Sequence, residues 1–136
     1  MDRDGEGYVE VMYNAAYGGF SFSEEAKRLY CEDRGIAMLG MNFYEMKRTD
    51  PCMIKLVKEL KQKVNSTFSN IQLEKIEKKY ENFFSIEEYD GYESVSIDYK
   101  GFKLDEIRRV MDDEALAWDV KEKKIRRILN SREEEE

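Results

Sequence analysis

The chain has 136 residues, of which 41% are hydrophobic, 12% aromatic and 39% charged. That suits one domain with a real core and argues against global disorder. A net charge of −7 argues against binding a nucleic-acid duplex over the whole surface. Histidine is absent, which removes the usual neutral-pH base, the usual zinc ligand, and every Ser-His or Cys-His pair.

The chain begins Asp2-Arg3-Asp4-Gly5-Glu6-Gly7, which is similar to the start of an EF-hand calcium loop. Tyr13 stands where the bidentate glutamate is needed, and no entering helix precedes the loop. An acidic lead into a first strand is the alternative. Tyr8 to Tyr13 is rich in strand formers between Gly7 and Asn14, and predicts that strand. Gly18-Gly19 then breaks the pattern. Ser21 with Glu24 fits a capping box, and Ser23 is an alternative cap. Phe22, Ala26, Leu29 and Tyr30 recur with helical spacing, and Gly35 supplies a stop.

Asn42 to Met46 reads as a short strand. Asp50 as N-cap and Pro51 at the first helical position open a second helix, whose stripe is Met53, Leu56, Val57, Leu60 and Val64. Ile71 to Ile76, Phe83 to Tyr89 and Tyr92 to Ile97 read as strands. Asp90-Gly91 predicts a hairpin between the last two. Leu104, Ile107 and Met111 mark a third helix. Leu116, Val120, Ile125, Ile128 and Leu129 mark a fourth. The expected class is α+β, a mostly antiparallel sheet covered by helices. The organisation is a core over 1–100, a C-terminal helical extension over 101–132, and a disordered acidic tail over 133–136.

Cys31 and Cys52 are too few for a disulfide framework and, with no signal peptide, suggest a reducing compartment. No apolar run approaches the ~20 residues needed to span a bilayer, so no membrane association is expected.

Several constellations suggest a site, each with a structural alternative. The Tyr17-Gly18-Gly19-Phe20 turn before a capped helix offers backbone N–H groups to an anion, although Glu24 and Glu25 in the first turn would repel one. Otherwise it is a packed turn. Lys47 and Arg48 suit a phosphate or carboxylate, or merely flank a cap. The hairpin residues Tyr89, Asp90, Gly91 and Tyr92 complete a candidate pocket. Glu87, Glu88, Asp90 and Glu93 around that hairpin suit a divalent cation or a general acid pair, or are simply exposed. Lys121, Lys123, Lys124, Arg126 and Arg127 form a basic cluster on the last helix. Ile125, Ile128 and Leu129 there suit packing or homo-oligomerisation.

Three segments in this order carry a resemblance: Tyr13-Asn14 with Tyr17-Gly18-Gly19-Phe20-Ser21 and Ser23, then Arg48-Thr49-Asp50-Pro51 with Leu56-Val57, then Ile86-Glu87-Glu88-Tyr89-Asp90-Gly91-Tyr92-Glu93. Over residues 8 to 98 the chain resembles a small uncharacterised protein family of tailed phages and large DNA viruses. The resemblance implies a viral or phage accessory role, in host cytoplasm or virion, and carries no activity. Relatives often place histidine where this chain has Thr49, and end the last strand with a basic-aromatic segment where it has Ser96-Ile97-Asp98-Tyr99-Lys100.

Three functions follow in order. The first is non-catalytic binding of a host protein or a small anionic ligand, through Tyr17, Gly18, Gly19, Phe20, Lys47, Arg48, Tyr89, Asp90, Gly91 and Tyr92. The second is a structural virion or assembly component. The third is a metal-dependent enzyme using the hairpin carboxylates. No resident cofactor is expected.

Overall fold

The structure, a computed structural model, describes residues 7–131. Residues 2–6 of the EF-hand-like start and the acidic tail at 133–136 lie outside the described residues. The elements are β1 (Tyr8–Asn14), α1 (Glu24–Arg34), α2 (Pro51–Leu60), β2 (Ile71–Glu77), β3 (Phe84–Tyr89), β4 (Tyr92–Ile97), α3 (Tyr99–Asp112) and α4 (Trp118–Asn130). The class is α+β.

The strands form two separate antiparallel ribbons, β1–β2 and β3–β4, in place of one sheet. In the first, Tyr8 lies opposite Glu77 and Asn14 opposite Ile71. In the second, Phe84 lies opposite Ile97 and Tyr89 opposite Tyr92. Asp90 and Gly91 both take positive φ (54° and 91°), as a two-residue type I′ hairpin turn requires.

β1 is covered on both faces. Met12 joins Phe22, Ala26, Tyr30, Met53, Leu56, Val57 and Val64 in the main core, under α1 and α2. Its neighbour Val11 points the other way and joins Ile76 and Tyr80, against Phe84, Ile86, Val95 and Ile97 of the second ribbon. Adjacent strand residues face opposite sides, so one strand serves two cores. Truncating a fully buried member such as Met53 costs about 2–5 kcal/mol. Tyr99 and Phe102 open α3 against Tyr80, with ring centroids 5.2 and 4.9 Å away. Beyond that contact no residue of α3 or α4 is buried.

Local sequence explains most boundaries. Ser23, not Ser21, caps α1 and accepts from the Ala26 N–H (3.1 Å). Asp50 caps α2 through the Met53 N–H (3.0 Å), with Pro51 in the first turn. The expected strand at Asn42–Met46 is instead a single 3₁₀ turn, Phe43–Glu45, because the Asn42 side chain accepts from the Tyr44 N–H (2.9 Å) and turns the chain. The second helical stripe breaks at Lys61, whose φ of 55° ends α2, and Val64 is carried inward by a 3₁₀ turn, Lys61–Val64. Asp98 starts α3 earlier than expected, by accepting from the Gly101 N–H (3.0 Å).

Tyr30 ties α1 to the α2 cap. Its hydroxyl donates to Asp50 Oδ2 (2.8 Å) and accepts from Arg34 Nη1 (2.9 Å). Burial, then the Asp50 hydrogen bond and charge, push the phenol up from 10.0 to about 12. The fold therefore favours the neutral phenol. Its contribution is complete below pH 10 and is lost as pH rises from 10 through 12. In thermal melts from pH 9 to 12, wild type should lose more stability than Tyr30→Phe. Parallel curves would show that this linkage is absent.

Candidate functional site

The glycine turn, the Arg48 segment and the hairpin tip meet in space. At their meeting point is a charged network. Arg48 Nη1 donates to Glu93 Oε1 (2.7 Å) and Nη2 donates to Glu93 Oε2 (3.1 Å). Glu93 is buried, with 7% exposed. Its Oε1 also accepts the Asn14 backbone N–H (3.0 Å). The Arg48 guanidinium lies 3.6 Å from the Phe20 ring centroid. Its backbone carbonyl accepts from the Met12 N–H (2.8 Å), and Nη1 reaches the Met12 carbonyl (3.3 Å).

Asn14 completes the network. It is fully buried. Its Nδ2 donates to the carbonyls of Ala16 (2.7 Å) and Gly91 (2.8 Å), and its Oδ1 accepts the Asn70 N–H (2.8 Å). Among the described residues no buried side-chain polar atom lacks a partner. The network thus satisfies itself, as buried polar groups must.

The glycines serve these close contacts. A Cβ on Gly18 would stand 2.1 Å from Phe68 Cβ and 2.2 Å from the Phe68 carbonyl oxygen. A Cβ on Gly91 would stand 2.4 Å from the Tyr17 carbonyl oxygen. The backbone approach expected for a ligand is an approach of backbone to backbone. Nearby, Ser21 and Ser66 hydroxyls bond each other, and Ser69 Oγ donates to the Ser21 carbonyl (2.7 Å).

What remains open is a cavity of about 310 Å³ above the network. Gly18, Gly19, Tyr44, Arg48, Glu88 and Glu93 are among its lining residues. Around it stand exposed aromatics: Tyr17 (65% exposed), Tyr44 (79%), Phe68 (72%) and Tyr89 (77%). Tyr92 packs against Tyr17, with ring centroids 5.2 Å apart. Of the expected residues, Gly18, Gly19, Phe20, Arg48 and Gly91 line this cavity. Tyr17, Tyr89, Asp90 and Tyr92 belong to the turn and hairpin tip beside it. Lys47 is exposed and does not line it.

The hairpin carboxylates do not act as one set. Glu93 faces inward to Arg48. Glu88 Oε2 accepts the Gly91 N–H (3.0 Å). Among the described residues no group of three His, Cys, Asp or Glu side chains is placed to hold a metal. The basic cluster of α4 is also divided: Lys121 Nζ donates to the Met111 carbonyl (2.7 Å) and Arg126 pairs with Glu122 (2.9 Å). Burial, then the charge of Asp33, pushes the Cys52 thiol up, so it is not an activated nucleophile.

Asn14, Glu93 in its structural role, Tyr44 and Phe68 escaped the sequence reading. For Glu93 a signal was present. It shares strand parity with Val95 and Ile97, both of which face the core, and a carboxylate on that face needs a buried cation. No protein-family model, curated protein or solved structure matches the chain.

Removing one partner of a buried pair strands the other charge. Arg48→Ala should cost about 3–5 kcal/mol, read as a lower urea midpoint. The Arg48→Met, Glu93→Leu double variant should lose less than the sum of its single changes. Strict additivity would mean the pair is not coupled.

Proposed function

We propose that the chain is a viral or phage accessory protein that works by binding, without catalysis. Its partner is a host protein, met in host cytoplasm or on the virion. The observation that carries this reading is the exposed aromatic group around the hairpin tip, mounted on a fully hydrogen-bonded base. Tyrosines of that kind make strong contact anchors, because they bury large area at low entropic cost. Between a host protein and a small anion, the protein is favoured. The cavity's arginine is already held by Glu93 through both terminal nitrogens, so an anion would have to displace a bidentate carboxylate. No histidine is present to serve as base, and the carboxylates of the hairpin do not converge.

An assembly role is the second reading. It is favoured by Leu104 (65% exposed), Trp118 (62%) and Leu129 (59%) on the C-terminal helices. Among the described residues no helix is long and apolar enough to cross a membrane.

Site-specific photocrosslinking in the host separates the two. A benzophenone side chain at Tyr92 should capture a distinct protein, and one at Leu129 should not capture a second copy of this chain. Tyr17→Ala with Tyr89→Ala should abolish capture at Tyr92 while leaving the melting temperature within a few degrees. Self-crosslinking at Leu129 with nothing at Tyr92 would reverse the order of the readings.

A further inference from the structure

We infer that the cavity between the Gly18-Gly19 turn and Tyr44 receives a cationic side-chain head, a lysine or arginine of the protein partner. This rests on the binding reading above and specifies its chemistry.

Charge is the first argument. The charged groups lining the cavity are Arg48, Glu88 and Glu93. Two carboxylates and one guanidinium line it, so the cavity keeps one negative charge in excess. Arg48 contributes little to an incoming group. Both its terminal nitrogens are held by Glu93, and the Phe20 ring lies over the guanidinium. Glu88 is different. It is exposed, one oxygen accepts a backbone N–H, and no cation among the described residues pairs with it. Asp90 at the adjoining hairpin tip deepens the negative field.

The walls are the second argument. Tyr44 lines the cavity and presents a ring that is 79% exposed. The Asn42 cap on the Tyr44 N–H holds the base of that side chain in place. A free aromatic face beside an unneutralised carboxylate is a cation–π setting. Lys27, which lines a neighbouring cavity with Tyr44 but not this one, does not fill this role. It lies over Phe43 (5.8 Å) and pairs with Glu24 (3.3 Å).

Size is the third. The volume of about 310 Å³ falls at the lower end of the ~300–1,000 Å³ range of small-molecule sites. It suits one side-chain head with its water, and leaves the exposed rings free to meet the rest of the partner's surface. The cation supplies register, and the aromatic surface supplies most of the area.

The test is a heteronuclear NMR titration of the intact protein. Ethylguanidinium chloride stands for arginine, n-butylammonium chloride for lysine, and sodium phosphate at matched ionic strength is the anionic control. At least one of the two cations should shift the Gly18, Gly19, Tyr44 and Gly91 amides saturably, and phosphate should not. Glu88→Gln should weaken that binding ~3-fold or more, the scale of one exposed charge pair. Glu87→Gln, on the opposite strand face, should not. The spectrum itself reports whether each variant is folded. Saturable phosphate binding at those amides, or cation shifts that are absent or indifferent to Glu88→Gln, would overturn the inference. If cation binding fails while the Tyr92 crosslink persists, only this inference falls. If the crosslink also fails, the binding reading falls with it.

Discussion

Half-buried Arg48 and buried Glu93 meet in a bidentate pair, and four separate stretches of chain depend on it. Glu93 comes from β4 and Arg48 from the segment before α2. Met12 and Asn14 come from β1, and Phe20 from the glycine turn. Removing two charges from water costs several kcal/mol per ion, and only good geometry with further hydrogen bonds offsets that cost. Here the additional bonds come from the Asn14 N–H and the Met12 carbonyl. The pair therefore specifies an arrangement. It sets where the second ribbon sits against the first, and through Gly91 and Asn14 it sets where the hairpin tip meets the glycine turn.

This constraint reassigns features that resemble a ligand site. Adjacent glycines, a basic residue ahead of a capped helix, and an acidic hairpin are all hallmarks of anion or metal binding. In this protein they satisfy one another. Gly18 admits Phe68, Gly91 admits the Tyr17 carbonyl, and Arg48 neutralises Glu93. What reaches solvent is the remainder: exposed aromatic rings, the Glu88 carboxylate and a modest cavity. The proposed partner for a surface of that composition is a protein carrying basic and apolar groups.

Much of the fold was legible from local chemistry. Asp50-Pro51 announced α2 because a cap and a prefixed φ act within one turn. Asp90-Gly91 announced the hairpin because few residues tolerate two successive positive φ values. The division into two ribbons was not legible. Strand alternation reports which residues face a core, but not which strand lies across it, and β1 has a core on each side. The 3₁₀ turn at Phe43–Glu45 was misread because the aromatic composition signals a strand, while the Asn42 side chain decides the backbone. At the site, sequence proximity grouped Glu93 with the exposed hairpin acids and Lys47 with Arg48. In each case burial separates the neighbours, and burial is a property of the assembled layers.

Native-state hydrogen exchange at Asn14 and Met12 reports whether the Arg48–Glu93 pair joins the two ribbons. The Asn14 amide hydrogen points at Glu93, and the Met12 amide hydrogen points at the Arg48 carbonyl. If the pair holds the layers together, both amides should exchange only through global unfolding, with the same free energy as the core helix amide of Ile54. If Asn14 instead exchanges through local opening while Ile54 stays protected, the pair is a peripheral contact and does not join the two ribbons.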